Sequence, residues 1–473
     1  MVRTMLSFFP QQISNRAIVT YLIALTIVTL MFFSYAMLFE YIVLGLIFVC
    51  GFFVLTQKYS VDWSQASDKR YVGYIFSTAV ALRIVWVVFS YFHYMNINGN
   101  PFEVGTADAM GYHVEAEWLA SEPWSITWSY YFGNGYGGVS DVGYPLYLNL
   151  LYRIFGPYII IPRIIKAFIS SFMCILIYRL SARMFEEKIG RMAGIMCALM
   201  PNLIIYCGYH LKETEMLFLI VAFMERTDYL LRSHKYNVWT ISIPMLLAGS
   251  LFFFRTVLGA AAVFAFASAV LFTNTPSMKK GAKRIAIIGW GLLCIIIAGG
   301  GTIMTEVEGY WEMRHTNSEN KRMDQTAQGN QWAKYATGSV LAPMVVALPF
   351  ATMVHVEDIQ VAQETKHTGN YIRNFMAFFA LIAMYEAIRQ KKWRDFALVG
   401  AYTFAYLGVI SVSGFGNSER FLLPGLPGLI IMWTYGISQL RAKTYNLLRY
   451  WSIVVVLMEV GWAYFKIGSR GLF

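Results

Sequence analysis

Long apolar segments recur along this chain of 473 residues, and they constrain its fold more than any other feature. A helix needs about 20 largely apolar residues to cross a bilayer core of about 30 Å, because it rises about 1.5 Å per residue. The residues are 57% hydrophobic and 14% charged, and the mean hydropathy is +0.50, unlike the composition of a soluble globular protein. The sequence therefore predicts an all-α polytopic membrane protein.

The basic residues lie in short connectors between the apolar segments, and this distribution explains the net charge of +11 without a nucleic acid partner. Cytoplasmic connectors of membrane proteins carry an excess of Lys and Arg, so we place these connectors in the cytoplasm. The basic connectors are at Lys58, Lys69 and Arg70; Arg179, Arg183, Lys188 and Arg191; Arg232 and Lys235; Lys279, Lys280, Lys283 and Arg284; Arg389, Lys391, Lys392 and Arg394; and Arg441, Lys443 and Arg449.

This orientation predicts about thirteen transmembrane helices, with the amino terminus inside and the carboxyl terminus outside. The first segment lacks a small-residue cleavage site followed by a polar sequence, so we expect it to be a retained anchor. The predicted spans are 17–37, 41–57, 71–94, 157–181, 190–209, 213–231, 238–254, 256–273, 285–304, 372–389, 395–412, 421–440 and 450–467.

Two long segments, 95–144 and 305–371, are then predicted to be outer loops that carry interfacial helices. The apolar stretch 339–354 is interpreted as a re-entrant or interfacial element, because a span there would place the basic cluster 389–394 outside. Four regions follow from this arrangement. They are an N-terminal helical hairpin (1–70), a core that contains the first outer loop (71–304), the second outer loop (305–371) and C-terminal transmembrane helices (372–473).

The first outer loop contains an unusually acidic stretch for this chain, "GTADAMGYHVEAEWLASEPW" at 105–124. We expect residues 106–120 to form a helix parallel to the membrane surface, and residues 145–155 to form a second short helix that does not cross the membrane. A helix starting near Thr106 would place Asp108, Tyr112, Glu115 and Ala116 on one face. Asp108 would lie in the first turn, where the helix dipole favours the ionised carboxylate that a general base requires. The alternative is an acidic helix that simply faces water.

Two arginines, Arg255 and Arg420, are predicted near the outer ends of helices. The positive-inside bias does not account for charges there, and a charge placed toward a helix centre costs about 2.5–3.5 kcal/mol on insertion. An anionic ligand group would explain both, and Lys212 is a third candidate cation. The alternative is that they reach lipid headgroups or pair with Glu419, Glu213 or Glu215.

Several motifs occur in order along the chain. They are "DAMGYHVEAEWLA" (108–120), "VGYPLYLNLLYRIFGP" (142–157), the long block 163–224, "LFFFRTVLG" (251–259) and "ERFLLPGLPGLI" (419–430). Together they resemble segments of the polyprenyl-phosphate-dependent glycosyltransferases of the GT-C fold. That group includes protein O-mannosyltransferases and lipid A aminoarabinose transferases. The resemblance covers most of 105–273 and a short piece near 420.

The resemblance implies a GT-C-like fold and an inverting transfer of a sugar from a polyprenyl-phosphate donor to an acceptor hydroxyl on a glycan, lipid or protein. It also implies a bacterial inner membrane location, with the active site on the periplasmic or outer face. Asp108 would be the general base, and the segments that resemble the family also hold residues expected to bind substrate. The substrate-binding candidates are Tyr112, Tyr144, Lys212, Glu213, Arg255 and Arg420.

Two departures from the family pattern stand out. Here the acidic loop follows the third predicted helix instead of the first, so residues 1–70 form an added hairpin of unknown role. Ala109 follows Asp108 where relatives often carry a second acidic residue, and Asp141 or Glu115 could replace it as a catalytic carboxylate. The loop contains no D-x-D motif, so we predict no cofactor and no tightly held metal, and a divalent metal stays an unsupported alternative.

Two other function classes fit a chain of this kind. One is a polysaccharide polymerase or ligase that uses lipid-pyrophosphate-linked glycans. The other is a transporter without chemistry, which should show paired broken helices and ionisable residues near the middle of the bilayer.

Overall fold

The computed structural model of this protein describes residues 8–103, 107–133, 140–233, 237–272, 349–356, 361–412 and 419–468. The predicted span 285–304 and most of the second outer loop with its re-entrant segment lie outside the described residues. Regular structure within these ranges is helical, apart from one isolated bridge between Ala36 and Val354. The all-α prediction is therefore confirmed for the described part of the chain.

The α-helices are numbered here in chain order. They are α1 (Gln11–Met31), α2 (Phe39–Asp62), α3 (Asp68–Asn98), α4 (Ala107–Ser121), α5 (Trp124–Phe132), α6 (Gly143–Phe155), α7 (Ile160–Met184), α8 (Glu187–Leu199), α9 (Pro201–Ile205), α10 (Glu213–Arg232), α11 (Val238–Phe254), α12 (Thr256–Phe272), α13 (Val361–Arg389), α14 (Ala397–Val412), α15 (Glu419–Leu422), α16 (Leu426–Ser438) and α17 (Ala442–Gly468). Three short 3-10 turns, Phe33–Tyr35, Tyr206–Gly208 and Leu423–Gly425, connect some of them.

Seven of the described helices are long and apolar enough to cross a membrane, so the chain has the character of a multi-pass membrane protein. They are α1, α2, α3, α7, residues 363–389 of α13, the continuous helical segment Glu419–Ser438, and α17. The bent pair α8–α9 would be an eighth. The predicted count of about thirteen is not established by the structure. Three more apolar helices have at most 17 residues, and α10 carries charged residues at both ends.

The helical core forms around α7, which packs on α3, α8 and α10. The N-terminal hairpin is part of the same packed unit, because α1 contacts α17 and α2 contacts α8 and α13. After α3, α4 packs on α6. Its small or apolar residues Ala109, Ala116 and Leu119 are fully buried, so this side of α4 is fixed and its acidic residues are left on the other sides.

A break between α8 and α9 sets the course of the chain toward the candidate site. Pro201 has no backbone N–H, so it cannot donate to the carbonyl of Cys197 one turn earlier, and the two helices meet at 52°. The buried Arg83 on α3 supplies the missing donors, with Nη1 3.0 Å from the Ala198 carbonyl oxygen and Nη2 3.2 Å from that of Cys197. The 3-10 turn after α9 leads to Lys212 at the start of α10.

Candidate active site

The acidic stretch forms the helix that the sequence predicts. The predicted helix over 106–120 corresponds to α4, and that over 145–155 corresponds to α6. Asp108 lies in the first turn of α4, and its side chain is 52% exposed, so its carboxylate is open to a substrate. Its partners come from distant parts of the chain.

Arg420 joins Asp108 to a second carboxylate. Its Nη1 donates to Asp108 Oδ2 at 2.5 Å, and its Nε donates to Glu213 Oε1. Glu213 is fully buried at the start of α10, where the helix dipole also favours a negative charge. Of the alternatives left open for Arg420, pairing with Glu213 is the one that the structure shows. Glu419 instead lies 3.8 Å from Lys366 Nζ.

A second ion pair lies beside the first, between Lys212 and Asp141. Lys212 is 2% exposed, its Nζ also donates to the Phe254 carbonyl oxygen at 3.2 Å, and it lies 5.9 Å from the centre of the Tyr112 ring. Burial, and then the nearby charge of Arg255, hold the pKa of Lys212 well below its usual value. Asp141 adopts φ of +71°, in the left-handed region that Asp tolerates better than most residues.

Arg255 lies between α11 and α12 and is 4% exposed. Its Nη1 is 3.4 Å from the Tyr406 hydroxyl, and its guanidinium carbon lies 4.4 Å from the centre of the Phe421 ring. Among the described residues, no carboxylate oxygen lies within the 4.0 Å of an ion pair with this guanidinium. Arg255 is therefore a buried cation without an ion pair among the described residues, and its charge acts on the buried carboxylate of Glu213 from a longer distance.

Two tyrosines form the wall between α4 and α6. The rings of Tyr112 and Tyr144 meet edge to face with centroids 5.2 Å apart. Tyr112 is influenced electrostatically by Arg420, Glu213, Asp108 and Arg255, although burial dominates and raises its pKa. Both phenols stay neutral at ordinary pH, so they can offer hydroxyl groups and ring faces but no charge.

Glu115 is separated from this group although it lies on the same helix as Asp108. Burial raises its pKa, and the Tyr131 hydroxyl of α5 acts on it in the opposite direction. Seven residues of helix place the two carboxyl groups about 10 Å apart along the axis. The structure thus brings together Asp108, Asp141, Tyr112, Tyr144, Lys212, Glu213, Arg255 and Arg420, and leaves Glu115 outside.

Two lysines near the site were not predicted. Lys166 Nζ lies 3.8 Å from Glu215 and 4.9 Å from the centre of the Tyr144 ring, and it is fully buried. A lysine inside a predicted span is a signal that could have identified it. Lys366 lies 5.6 Å from the centre of the Tyr206 ring and pairs with Glu419, and its place in a long predicted loop gave no such signal. Among the described residues, no group of His, Cys, Asp or Glu has an arrangement that could hold a metal ion.

The arrangement combines the accessible carboxylate of Asp108, at the start of α4, with the buried cations Lys212 and Arg255 in the same group of residues. No protein-family model and no curated protein sequence matches the chain. The resemblance to the GT-C transferases therefore stays a prediction.

Proposed function

We propose that this protein is an integral membrane glycosyltransferase that moves a sugar from a polyprenyl-phosphate donor to an acceptor hydroxyl, with inversion at the anomeric carbon. The observation that carries the proposal is the ion pair of Asp108 with Arg420, beside two further buried cations, Lys212 and Arg255, that belong to the same electrostatic cluster. A transferase of this kind needs a base for the acceptor and cations for the phosphate that leaves, and both are present.

In the proposed reaction, Asp108 accepts the proton of the acceptor hydroxyl. At the same time the hydroxyl oxygen of the acceptor attacks the anomeric carbon of the donor sugar. The bond from that carbon to the phosphate oxygen breaks, and polyprenyl phosphate leaves. We assign the leaving phosphate to Arg255, which pairs with no carboxylate among the described residues, and to Lys212, whose one carboxylate partner, Asp141, is half-exposed and can be displaced. Arg420 is held by two carboxylates. Arg420 then has the role of orienting the Asp108 carboxylate.

An apolar groove beside these cations supports a lipid-linked donor. It has a volume of about 510 Å³, and Trp124, Trp128, Leu150, Phe218 and Phe254 are among its lining residues. Phe254 directly precedes Arg255, so a prenyl chain in the groove would carry its phosphate toward the buried guanidinium. The acceptor class, whether glycan, lipid or protein, and the periplasmic side of a bacterial inner membrane belong to the same proposal.

The decisive experiment is transfer by the purified protein in detergent, using a panel of short-chain polyprenyl-phosphate and polyprenyl-pyrophosphate sugars. Release of polyprenyl phosphate with an inverted product supports the proposal. Release of polyprenyl pyrophosphate instead would identify a polymerase or ligase. An absence of turnover with every donor and acceptor hydroxyl class would count against a transferase.

We expect Arg255→Ala to weaken donor binding by about 10–100-fold, because a hydrogen bond to a charged group contributes about 1.5–3 kcal/mol. Affinity is measured by displacement of a labelled short-chain donor. Arg226→Ala is the matched control. Arg226 is 40% exposed and lies in the second half of α10, whereas the site lies at the start of that helix. Equal affinity in the two variants would remove Arg255 from the phosphate site.

The affinity for the donor should also fall as pH rises, and Lys212 should cause part of this fall. The protonated lysine attracts phosphate, and its pKa is lowered by burial, so its charge is lost at a lower pH than the ordinary value of about 10.4. Lys212→Arg keeps the charge and should flatten the curve of affinity against pH. Identical curves for the two proteins would show that Lys212 does not contribute.

A second candidate is a transporter without chemistry, and one observation favours it. The bent pair α8–α9 resembles the discontinuous helices at which secondary transporters bind substrates and ions. Uptake of a lipid-linked or free sugar by proteoliposomes, with no product of transfer, would favour this function.

A further inference from the structure

A separate cavity lies between α2, α3 and the start of α13. It has a volume of about 200 Å³, and one of its walls belongs to the N-terminal hairpin. Aromatic rings form most of the lining, from Tyr41 on α2 and from Trp86, Phe89, His93 and Tyr94 on α3. None of the residues assigned to the transfer reaction lines it.

Four of the polar side chains that line this cavity are already used in internal hydrogen bonds. Tyr41 OH and His93 Nε2 are 3.5 Å apart, Trp86 Nε1 donates to the Ile205 carbonyl oxygen at 3.0 Å, and Ser90 Oγ donates to that of Val87 at 3.2 Å. A sugar would need several donors and acceptors to match its hydroxyl groups. The cavity offers ring surface instead, which suits a ligand that carries few hydrogen-bonding groups.

A carboxylate gives the rim of the cavity a negative charge. Glu40, at the start of α2, is an exposed carboxylate and one of the lining residues, and the described residues that line the cavity include no lysine or arginine. Glu364 lies nearby, buried and 2.7 Å from His355 Nδ1, and both glutamates act electrostatically on Tyr41. Aromatic rings and carboxylates both attract cations, so the two kinds of group favour the same ligand.

We propose that this cavity binds an organic ammonium group, such as the amine head of a membrane lipid or a free choline-like amine. The volume is smaller than that of a site for drug-sized ligands, so it suits a headgroup. This proposal gives the added hairpin a role, because Glu40 and Tyr41 come from it. It does not rest on the proposed transfer reaction.

The test compares choline with 3,3-dimethylbutan-1-ol, a neutral molecule of nearly the same shape. Binding to the full chain in a maltoside detergent is measured by ligand-observed NMR. We expect choline to bind at least about tenfold more tightly, because only the charged ligand gains from the rings and the carboxylate. Equal binding of the two, or no binding of choline, would overturn the proposal.

Variants locate the site. Glu40→Gln removes the exposed charge and Phe89→Leu removes one ring, and each should weaken choline binding by about threefold or more. Asp62→Asn is the matched control, because Asp62 is an exposed carboxylate at the other end of α2. Unchanged choline binding in both Glu40→Gln and Phe89→Leu would also overturn the proposal.

Two lipid compositions distinguish the sources of the amine. In nanodiscs of phosphatidylglycerol alone, choline should bind as in detergent. Adding phosphatidylethanolamine should raise the apparent dissociation constant of choline if a lipid headgroup occupies the cavity, and should leave it unchanged if the natural ligand is a soluble amine. Loss of choline binding in phosphatidylglycerol nanodiscs would contradict both forms of the proposal.

Discussion

Replacing Asp108 with asparagine should lower the rate of sugar transfer by about 10²–10⁴-fold, the usual share of a general base. Asparagine has nearly the same size and can still accept a hydrogen bond from Arg420, so the fold and the donor affinity should be kept. It cannot accept the proton of the acceptor hydroxyl. The measurement is single-turnover transfer from a short-chain donor, with donor binding scored separately.

Glu117→Gln is the matched control for this variant. Glu117 lies on the same helix, and its side chain is 52% exposed, as is that of Asp108, but its neighbour is His113, with Nε2 at 3.6 Å from its Oε2. We expect near-normal turnover in Glu117→Gln. Near-normal turnover in Asp108→Asn would instead remove Asp108 as the base and make Asp141 and Glu115 the next carboxylates to test.

Arg420→Ala should destabilise the protein by about 3–5 kcal/mol, the usual cost of removing one partner of a buried ion pair. Glu213 is fully buried and would keep a carboxylate without its hydrogen-bonded partner, while Asp108 would lose the group that orients it. The free energy of unfolding is measured by chemical denaturation of the protein in detergent. Turnover should fall as well in the fraction that stays folded.

A double variant separates the ion pair from simple loss of side-chain volume. Adding Glu213→Gln to Arg420→Ala removes the buried charge and should restore part of the lost stability. Arg449→Ala serves as the control for an exposed arginine. A stable Arg420→Ala protein, or a double variant less stable than Arg420→Ala alone, would contradict the role of this pair.

The sequence by itself determined the local elements. Apolar length predicted the membrane class, and the helices around Asp108 and in 145–155 were predicted with bounds close to those of α4 and α6. These features depend on residues a few positions apart, which share one helix face or one apolar run. The sequence also indicated Arg255 and Arg420 as charges at helix ends that an anionic partner would explain, and it singled out Asp108 by its place in the first turn of a helix.

Only the tertiary structure decided how those charges are paired. Asp108 and Arg420 are 312 residues apart, and nothing in the local pattern of either segment specifies that their side chains meet. The same holds for Lys212 and Asp141, whose ion pair joins the residue before α10 to the segment before α6. Glu115 is the converse case. It shares a helix face with Asp108, but it lies two turns further along the axis and interacts with Tyr131. A common face therefore does not bring the two carboxyl groups together.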